Sequence, residues 1–170
     1  MTNYYKLQKI DISKLIFKML YTTQILALMK NDYCLKPYFI GVYPSDMLPR
    51  VKSLPMGFIV NVDGSSEPGS HWLSIFISRS GLGYFFDSFG RRPNVYKMYN
   101  YMNDNCSEWH YNTKQYQNVL STACGYYAMF VQILLCHGID MRKIENYFTN
   151  STHENDLFVT DFIVKYFELL

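Results

Sequence analysis

The stretch from Gln117 to Gly138 reads QNVLSTACGYYAMFVQILLCHG, and it decides the prediction of the fold. The part from Cys124 to His137 is apolar almost throughout, and an apolar run of this length favours a buried helix over a strand. Gly138 is a typical C-terminal stop for such a helix. The sequence therefore predicts a buried central helix that begins at a cysteine.

Short strands are predicted on the N-terminal side of this helix. Residues 57–62 are β-branched and bounded by turn residues, and residues 72–78 alternate between apolar and polar. A tight turn at 80–83 joins the second of these strands to a third at 84–88, which predicts a hairpin. Residues 115–120 predict one more short strand directly before the helix.

Three further helices are predicted, at residues 11–30, 91–103 and 155–169. The segment between the first helix and the first strand contains four prolines and is predicted to be a loop. Because hairpin strands adjoin one another and helices come before and after them, the order favours an α+β fold with a mostly antiparallel central sheet. No linker or repeat divides residues 1–170, so we expect one domain, with residues 1–30 as an additional N-terminal helical segment.

Composition excludes several classes of protein. Of 170 residues, 49% are hydrophobic and 18% aromatic, which excludes a disordered chain. A net charge of +2 does not indicate a protein dominated by phosphate contacts. No apolar run approaches the roughly 20 residues that span a bilayer. The first residues contain no apolar segment of a secretory signal, so we expect a protein that is not secreted and whose four cysteines are free thiols.

Four residues match what a thiol nucleophile needs. Cys124 opens the predicted helix, where N–H groups stabilise a thiolate. His71 enters one strand of the hairpin and Asp87 lies near the end of the other, so the pair could supply a base and the group that orients it. The Gln117 side-chain amide and the Cys124 N–H could stabilise an oxyanion.

Each of these residues also has an ordinary structural interpretation. A free cysteine in an apolar helix is usually part of a core, a single histidine is often a structural hydrogen-bonding residue, and an aspartate near a turn often forms that turn. Trp72 could shape the site beside His71 or simply pack in the core. The cysteines and histidines show no zinc-ligand spacing, and we expect no metal.

Three motifs together resemble the adenovirus endopeptidase (adenain) family: GSHW at 69–72, FDSFG at 86–90 and QNVLSTACG at 117–125. The segment PYFIGVY at 37–43 is also similar to that family, and the resemblance extends over about residues 34–138. The family is related to cysteine proteases that cut ubiquitin-like proteins.

The resemblance implies a papain-like α+β cysteine endopeptidase that matures viral structural precursors, cutting after small, glycine-rich motifs. It makes Cys124 the nucleophile, His71 the base and Gln117 the oxyanion glutamine. Asp87 takes the acidic position, which is commonly Glu in the adenoviral enzymes and Asp in the proteases of ubiquitin-like proteins. Trp72 is a candidate for contact with substrate.

The resemblance also implies regulation. Cys106 lies 18 residues before Cys124 (124 − 106 = 18), as does the cysteine through which an activating viral peptide can form a disulfide in the adenoviral enzymes. DNA activates that family too, and Arg91, Arg92 and Lys97 could form a local basic patch. We expect a monomer with a protein substrate, no metal or organic cofactor and no membrane partner, in the virion or the interior of the host cell.

Two other functions stay open at this point. The first is a protease for ubiquitin or a ubiquitin-like modifier, because those enzymes share the order of His, Asp, Gln and Cys. The second is a catalytically inactive, capsid-associated binding protein, in which Cys124 would show no special reactivity.

Overall fold

The computed structural model describes residues 18–96 and 98–169. Within these ranges the strands are β1 (Phe39–Pro44), β2 (Met56–Asn61), β3 (Trp72–Ile77), β4 (Leu82–Phe86) and β5 (Glu108–Tyr111). The helices are α1 (Thr22–Asn31), α2 (Tyr99–Asn105), α3 (Cys124–Cys136), α4 (Met141–Glu145) and α5 (Thr152–Glu168), and a 3₁₀ turn spans Pro93–Tyr96.

The five strands form one sheet in the order β1-β2-β3-β4-β5. The central pairs β2–β3 and β3–β4 are antiparallel, as the hairpin pattern predicts. The outer pairs β1–β2 and β4–β5 are parallel. The α+β class is confirmed, and the antiparallel character is confined to the centre of the sheet.

Both faces of the sheet are covered, and strand alternation separates the two cores. Phe58, Leu73 and Ile75 belong to an apolar cluster that includes Met102 of α2. Their neighbours on the strands face the other way, into the larger cluster around α3. Strands β2 and β3 are buried over their full length for this reason.

Helix α3 is the centre of the larger core. Twelve of its residues, from Cys124 to Leu135, are buried, and the helix contacts β2, β3, α4 and α5. Two polar side chains meet in this interface: Gln132 accepts a hydrogen bond from Ser74 Oγ of β3 at 2.7 Å. Gly57 of β2 makes room for it, since a Cβ there would lie 1.5 Å from Gln132 Nε2.

The N-terminal helix is shorter than predicted where the structure describes it. Residues 18–21 are not helical, and the predicted residues 11–17 lie outside the described part of the chain. Tyr21 is extended (φ −93°, ψ 157°), and its N–H donates to Gln24 Oε1 at 2.9 Å. This contact starts the helix at Thr22.

Two other predicted elements are wrong in part or in full. Residues 91–103 contain the short 3₁₀ turn and only the first part of α2, instead of one helix. Residues 115–120 are not a strand, because the N–H groups of Tyr116 and Gln117 both donate to the Ser88 carbonyl, at 2.8 and 3.1 Å. Strands β1 and β5 and helix α4 are not predicted from the sequence.

Candidate active site

The candidate residues meet at one edge of the sheet. His71 directly precedes β3 and Asp87 directly follows β4. Because these strands are antiparallel, with Ser74 opposite Phe86, the start of one and the end of the other lie side by side. Helix α3 crosses the sheet so that its first residue, Cys124, comes to the same edge.

The three predicted triad residues lie together. His71 Nε2 lies 2.6 Å from Asp87 Oδ1, and the Cys124 sulfur is near enough to the His71 ring to raise the pKa of the ring. Since Nε2 is engaged by Asp87, Nδ1 is the ring nitrogen left to interact with the sulfur. All three side chains are buried, Asp87 completely so.

The carboxylate of Asp87 receives four donors. The Oδ1 atom accepts from His71 Nε2 and from the Phe89 N–H at 2.9 Å. The Oδ2 atom accepts from the Tyr96 hydroxyl at 2.8 Å and from the Arg91 N–H at 3.2 Å. A buried carboxylate is stable as an anion only with such partners, so this arrangement favours the charged form.

The pKa values of the pair shift in opposite directions. Burial disfavours the imidazolium and lowers the pKa of His71, but hydrogen bonds and charge interactions with Asp87 and Cys124 outweigh burial and raise that pKa to about 9. Burial acts to raise the pKa of Asp87, yet the hydrogen bonds from His71, Phe89 and Tyr96 hold it below its ordinary value. At neutral pH the site therefore holds an imidazolium beside a carboxylate.

The backbone of Asp87 is fixed by a neighbouring strand. Buried Asn112, the residue after β5, accepts from the Asp87 N–H at 2.9 Å and donates to its carbonyl at 2.6 Å. Gly90 closes the turn after Asp87 at φ 68°, and a Cβ there would lie 2.7 Å from the Lys114 backbone. The turn is therefore held on two sides.

Gln117 is held in one orientation. Its Oε1 accepts from the Ser88 hydroxyl at 2.6 Å, and its Nε2 donates to the Ser121 carbonyl at 3.0 Å. A side-chain amide has two donor hydrogens on nitrogen, so one can serve Ser121 and the other a ligand. Helix α3 begins nearby at N-cap Ala123, which makes no side-chain capping bond.

The loop that carries Gln117 is tied to distant helices. The Tyr116 carbonyl accepts from the Tyr127 hydroxyl of α3 at 2.9 Å and from Asn155 Nδ2 of α5 at 3.2 Å. Asp156 Oδ1 lies 2.9 Å from the same Tyr127 hydroxyl, so the single hydrogen of that hydroxyl is shared between the Asp156 carboxyl group and the Tyr116 carbonyl. The position of the oxyanion candidate thus depends on both helices.

The remaining two predicted residues lie beside this constellation or away from it. Trp72 is 6% exposed; its indole N–H donates to the Leu20 carbonyl at 2.9 Å, and its ring lies against Gly125. Cys106 directly follows α2 as its C-cap and packs near Gly83 of β4, where burial raises the pKa of its thiol to about 11. Contact of Trp72 with substrate and an activator disulfide at Cys106 stay predictions.

Sequence reasoning misses the supporting side chains Ser88, Tyr96 and Asn112. Ser88 lies inside the FDSFG motif, so its position beside Asp87 is a signal that could have found it. Tyr96 and Asn112 lie 9 and 25 residues from Asp87 in the chain, and nothing in the local pattern marks them. Of the three basic residues predicted to form a patch, Arg91 lies over the Phe89 ring at 5.3 Å, and Lys97 lies outside the described residues.

Other kinds of site find no support in residues 18–96 and 98–169. No three histidine, cysteine, aspartate or glutamate side chains in these ranges are grouped to hold a metal ion. No helix of the described chain is long and apolar enough to cross a membrane.

Comparison with known proteins shows a similarity in fold, without a match in sequence. No protein-family model and no curated protein sequence matches the chain. The fold is similar to the C-terminal Ulp1 protease domain, solved in complex with Smt3, the yeast orthologue of SUMO. The match has 13% identity and a TM-score of 0.50, and covers 92% of this chain and 80% of that one.

The ASFV pS273R protease also matches, at 19% identity and a TM-score of 0.44, over 64% of this chain. This chain spans 42% of the length of that protease. The likeness to the Ulp1 domain shows the α+β fold, and the specific resemblance to adenovirus endopeptidases stays a prediction.

Proposed function

We propose that this chain is a cysteine endopeptidase. The observation that carries the proposal is the linked, buried set of Cys124, His71 and Asp87 at one edge of the sheet. A nucleophile in contact with a base, and a base held by a third group, is the arrangement of the catalytic triads. The fold shared with the Ulp1 protease domain is consistent with this chemistry.

In the proposed reaction the proton of the Cys124 thiol already resides on His71 Nδ1, so the ring is an imidazolium and Cys124 Sγ attacks the carbonyl carbon of the scissile bond as a thiolate. The C–N bond breaks as the His71 imidazolium gives its proton to the leaving amine, which leaves a thioester and a neutral ring. Water then attacks the thioester, gives a proton to His71, and releases the carboxylic acid product and the Cys124 thiolate beside the imidazolium. The raised pKa of His71 keeps the proton on the ring at neutral pH, where the leaving amine needs it.

The oxyanion of each tetrahedral intermediate accepts from the Cys124 N–H and from Gln117 Nε2. Ser88 supports this role because its hydroxyl donates a hydrogen bond to Gln117 Oε1 at 2.6 Å. This bond fixes the amide so that its nitrogen points away from Ser88. Such preorganised donors stabilise negative charge without rearranging during the reaction.

The proposed substrates are structural precursor proteins of a virus or virus-like element, cut after small, glycine-rich motifs. The motifs at 69–72, 86–90 and 117–125, which resemble the adenoviral enzymes, support this class. A narrow cleft beside Trp72 would favour glycine because larger side chains would not enter it. An activating peptide that pairs with Cys106, and activation by DNA, belong to the same proposal.

A second candidate is a protease for ubiquitin or a ubiquitin-like modifier. The specific observation in its favour is the match to the Ulp1 domain, which covers most of both chains and was solved with Smt3 bound. The chemistry at Cys124 would be identical, and only the recognition surface would differ.

The test is hydrolysis of a Leu-Arg-Gly-Gly fluorogenic peptide under reducing conditions by wild type, Cys124→Ala and Cys136→Ala. Cys136 is a matched control, because it is a free cysteine at the opposite end of the same helix. We expect Cys124→Ala alone to abolish hydrolysis. Equal activity of Cys124→Ala and wild type would refute the proposal.

Two further measurements separate the alternatives. Ubiquitin or SUMO aminomethylcoumarin, compared with a glycine-rich precursor peptide, distinguishes the two protease classes by kcat/KM. If no substrate is cut, the rate of iodoacetamide labelling decides: a Cys124 that reacts no faster than Cys136 identifies an inactive binding protein.

A further inference from the structure

Beyond the triad, one hydroxyl contacts the buried carboxylate from outside the β3–β4 hairpin. Tyr96 is the last residue of the 3₁₀ turn that begins at buried Pro93. Its hydroxyl lies 2.8 Å from Asp87 Oδ2, and its ring centroid lies 6.1 Å from that of His71. The phenol therefore lies against both members of the His71–Asp87 pair.

The direction of the Tyr96 hydrogen bond follows from its two partners. The Arg91 guanidinium lies 3.5 Å from the phenol oxygen, and a guanidinium can only donate. An ionised Asp87 can only accept, so the O–H hydrogen points at Asp87. Burial and the nearby Asp87 charge raise the pKa of Tyr96, so the phenol stays a donor throughout the neutral range.

Tyr96 is also the only side-chain partner that the structure gives to Oδ2 within the described residues. The other donor to that oxygen is the Arg91 N–H at 3.2 Å. Asp87 is 0% exposed, so water cannot easily replace a missing hydroxyl. An underbonded buried carboxylate loses the free energy of that bond and can rotate away from His71.

We propose that Tyr96 is a positioning residue for the reaction, which holds the Asp87 carboxylate ionised and turned toward His71. The inference rests on the proposed function, and Tyr96 itself touches no reacting atom. The titratable or charged groups around Asp87 are His71 from the start of β3, Tyr96 from the 3₁₀ turn, Arg91 from the turn after β4 and, across His71, Cys124 of α3. Among these groups, Tyr96 is the one that can lose its hydrogen-bond donor, by substitution with phenylalanine, without a change in charge.

The test compares Tyr96→Phe with wild type and with Tyr101→Phe. Tyr101 is a matched control: it packs against the same apolar cluster, and its hydroxyl donates to the Pro49 carbonyl at 2.9 Å, away from the triad. For Tyr96→Phe we expect kcat to fall about tenfold with KM within about twofold. Removing a donor to the anion raises the pKa of Asp87, so the acid limb of kcat should move about one pH unit upward.

A second readout does not depend on hydrolysis. The ¹³C-carboxyl resonance of Asp87 is titrated by NMR in all three proteins, and its midpoint should rise in Tyr96→Phe alone. Midpoints and acid limbs that coincide in the three proteins would overturn the inference. If wild type and Tyr101→Phe hydrolyse no substrate and Cys124 is labelled by iodoacetamide no faster than Cys136, the proposed function fails, and the Asp87 titration still decides whether Tyr96 controls the carboxylate.

Discussion

The proton on His71 depends on a charge 2.6 Å away. Asp87→Asn keeps the shape of that side chain and removes its charge. Burial, which lowers the pKa of His71, is then no longer offset by the Asp87 charge, and the pKa of the ring falls from about 9. We expect the basic limb of the kcat/KM profile, near pH 9 in wild type, to move to lower pH, and kcat at neutral pH to fall. Steady-state kinetics across pH 5–10, measured in steps of about one pH unit, check the position of the basic limb and the value of kcat.

The same pKa gives a thermodynamic check on this variant. Because the pKa of His71 is raised on folding, the pair adds stability that is fully present below pH 6.5 and is lost as pH rises through about 9. The unfolding free energy of wild type minus that of Asp87→Asn should shrink over this interval. A difference that does not change with pH, together with a basic limb unmoved in the variant, would contradict the link between the two residues.

Ser88 gives a prediction about the oxyanion donor. Ser88→Ala removes the hydroxyl that holds Gln117 Oε1 at 2.6 Å. We expect kcat to fall roughly tenfold with little change in KM, because the amide loses its fixed orientation while substrate contacts stay.

Ser74→Ala is the matched control for Ser88→Ala. Ser74 is equally buried and donates to Gln132 Oε1 at 2.7 Å, but between the sheet and α3. Both variants should lose comparable stability in urea, while only Ser88→Ala loses kcat. Equal kcat in the two variants would mean that Ser88 does not orient the amide during the reaction.

At the scale of elements, the sequence predicts correctly those strands and helices whose burial requires a regular pattern of apolar residues. The hairpin β3–β4 and helix α3 are predicted because continuous or alternating apolar residues mark them. Strand β5 is missed since it is an edge strand whose residues 108–111 are half-buried or exposed, so no apolar alternation appears. Strand β1 is missed because Pro37 precedes it and Pro44 is its last residue, so the segment has the composition of a loop. Its pairing with the parallel strand β2 forms only in the complete fold.

The site shows the same division. Cys124, His71, Asp87 and Gln117 could be proposed from residue type and order, because the chemistry restricts which side chains can serve. Their supports could not, since Tyr96 and Asn112 reach Asp87 through backbone turns that depend on the complete fold. The strand predicted at 115–120 is wrong for the same reason, since its hydrogen bonds depend on the complete fold. The N–H groups that would pair with a neighbouring strand donate instead to the carbonyl of buried Ser88.

Gly57 tests the packing of β2 against α3. In Gly57→Ala the new Cβ would lie 1.5 Å from Gln132 Nε2, and the buried amide must move or lose its bond with Ser74. We expect the free energy of unfolding to fall by about 1–3 kcal/mol, measured by urea denaturation. Adding Gln132→Ser should restore part of the loss by making room.

Gly64→Ala is the control for Gly57→Ala. A Cβ at Gly64 would lie 3.3 Å from the end of the Asp46 side chain and 3.5 Å from that of Glu67, and both carboxylates can shift. A loss in Gly64→Ala as large as that in Gly57→Ala would show that the clash with Gln132 is not the cause.

At the scale of the whole molecule, one aromatic ring joins the segments that carry the site. Phe148, between α4 and α5, lies 6.2 Å from Phe86, 4.4 Å from Tyr116 and 5.5 Å from Tyr127, measured between ring centroids. Phe86 directly precedes Asp87, Tyr116 directly precedes Gln117, and Tyr127 lies one turn after Cys124. The packing of this cluster therefore sets the distances among three parts of the proposed active site.

Phe148→Ala should consequently affect both stability and chemistry. Loss of a buried aromatic ring costs about 3–5 kcal/mol of unfolding free energy, and relaxation of the cluster should also lower kcat of the folded fraction. Phe158→Ala is the control, because Phe158 is 37% exposed and contacts Phe130 and Tyr147 instead of the site segments. Urea denaturation and kcat at a temperature where both variants are fully folded separate the effects. A destabilised Phe148→Ala with wild-type kcat would show that the site keeps its geometry without the shared core.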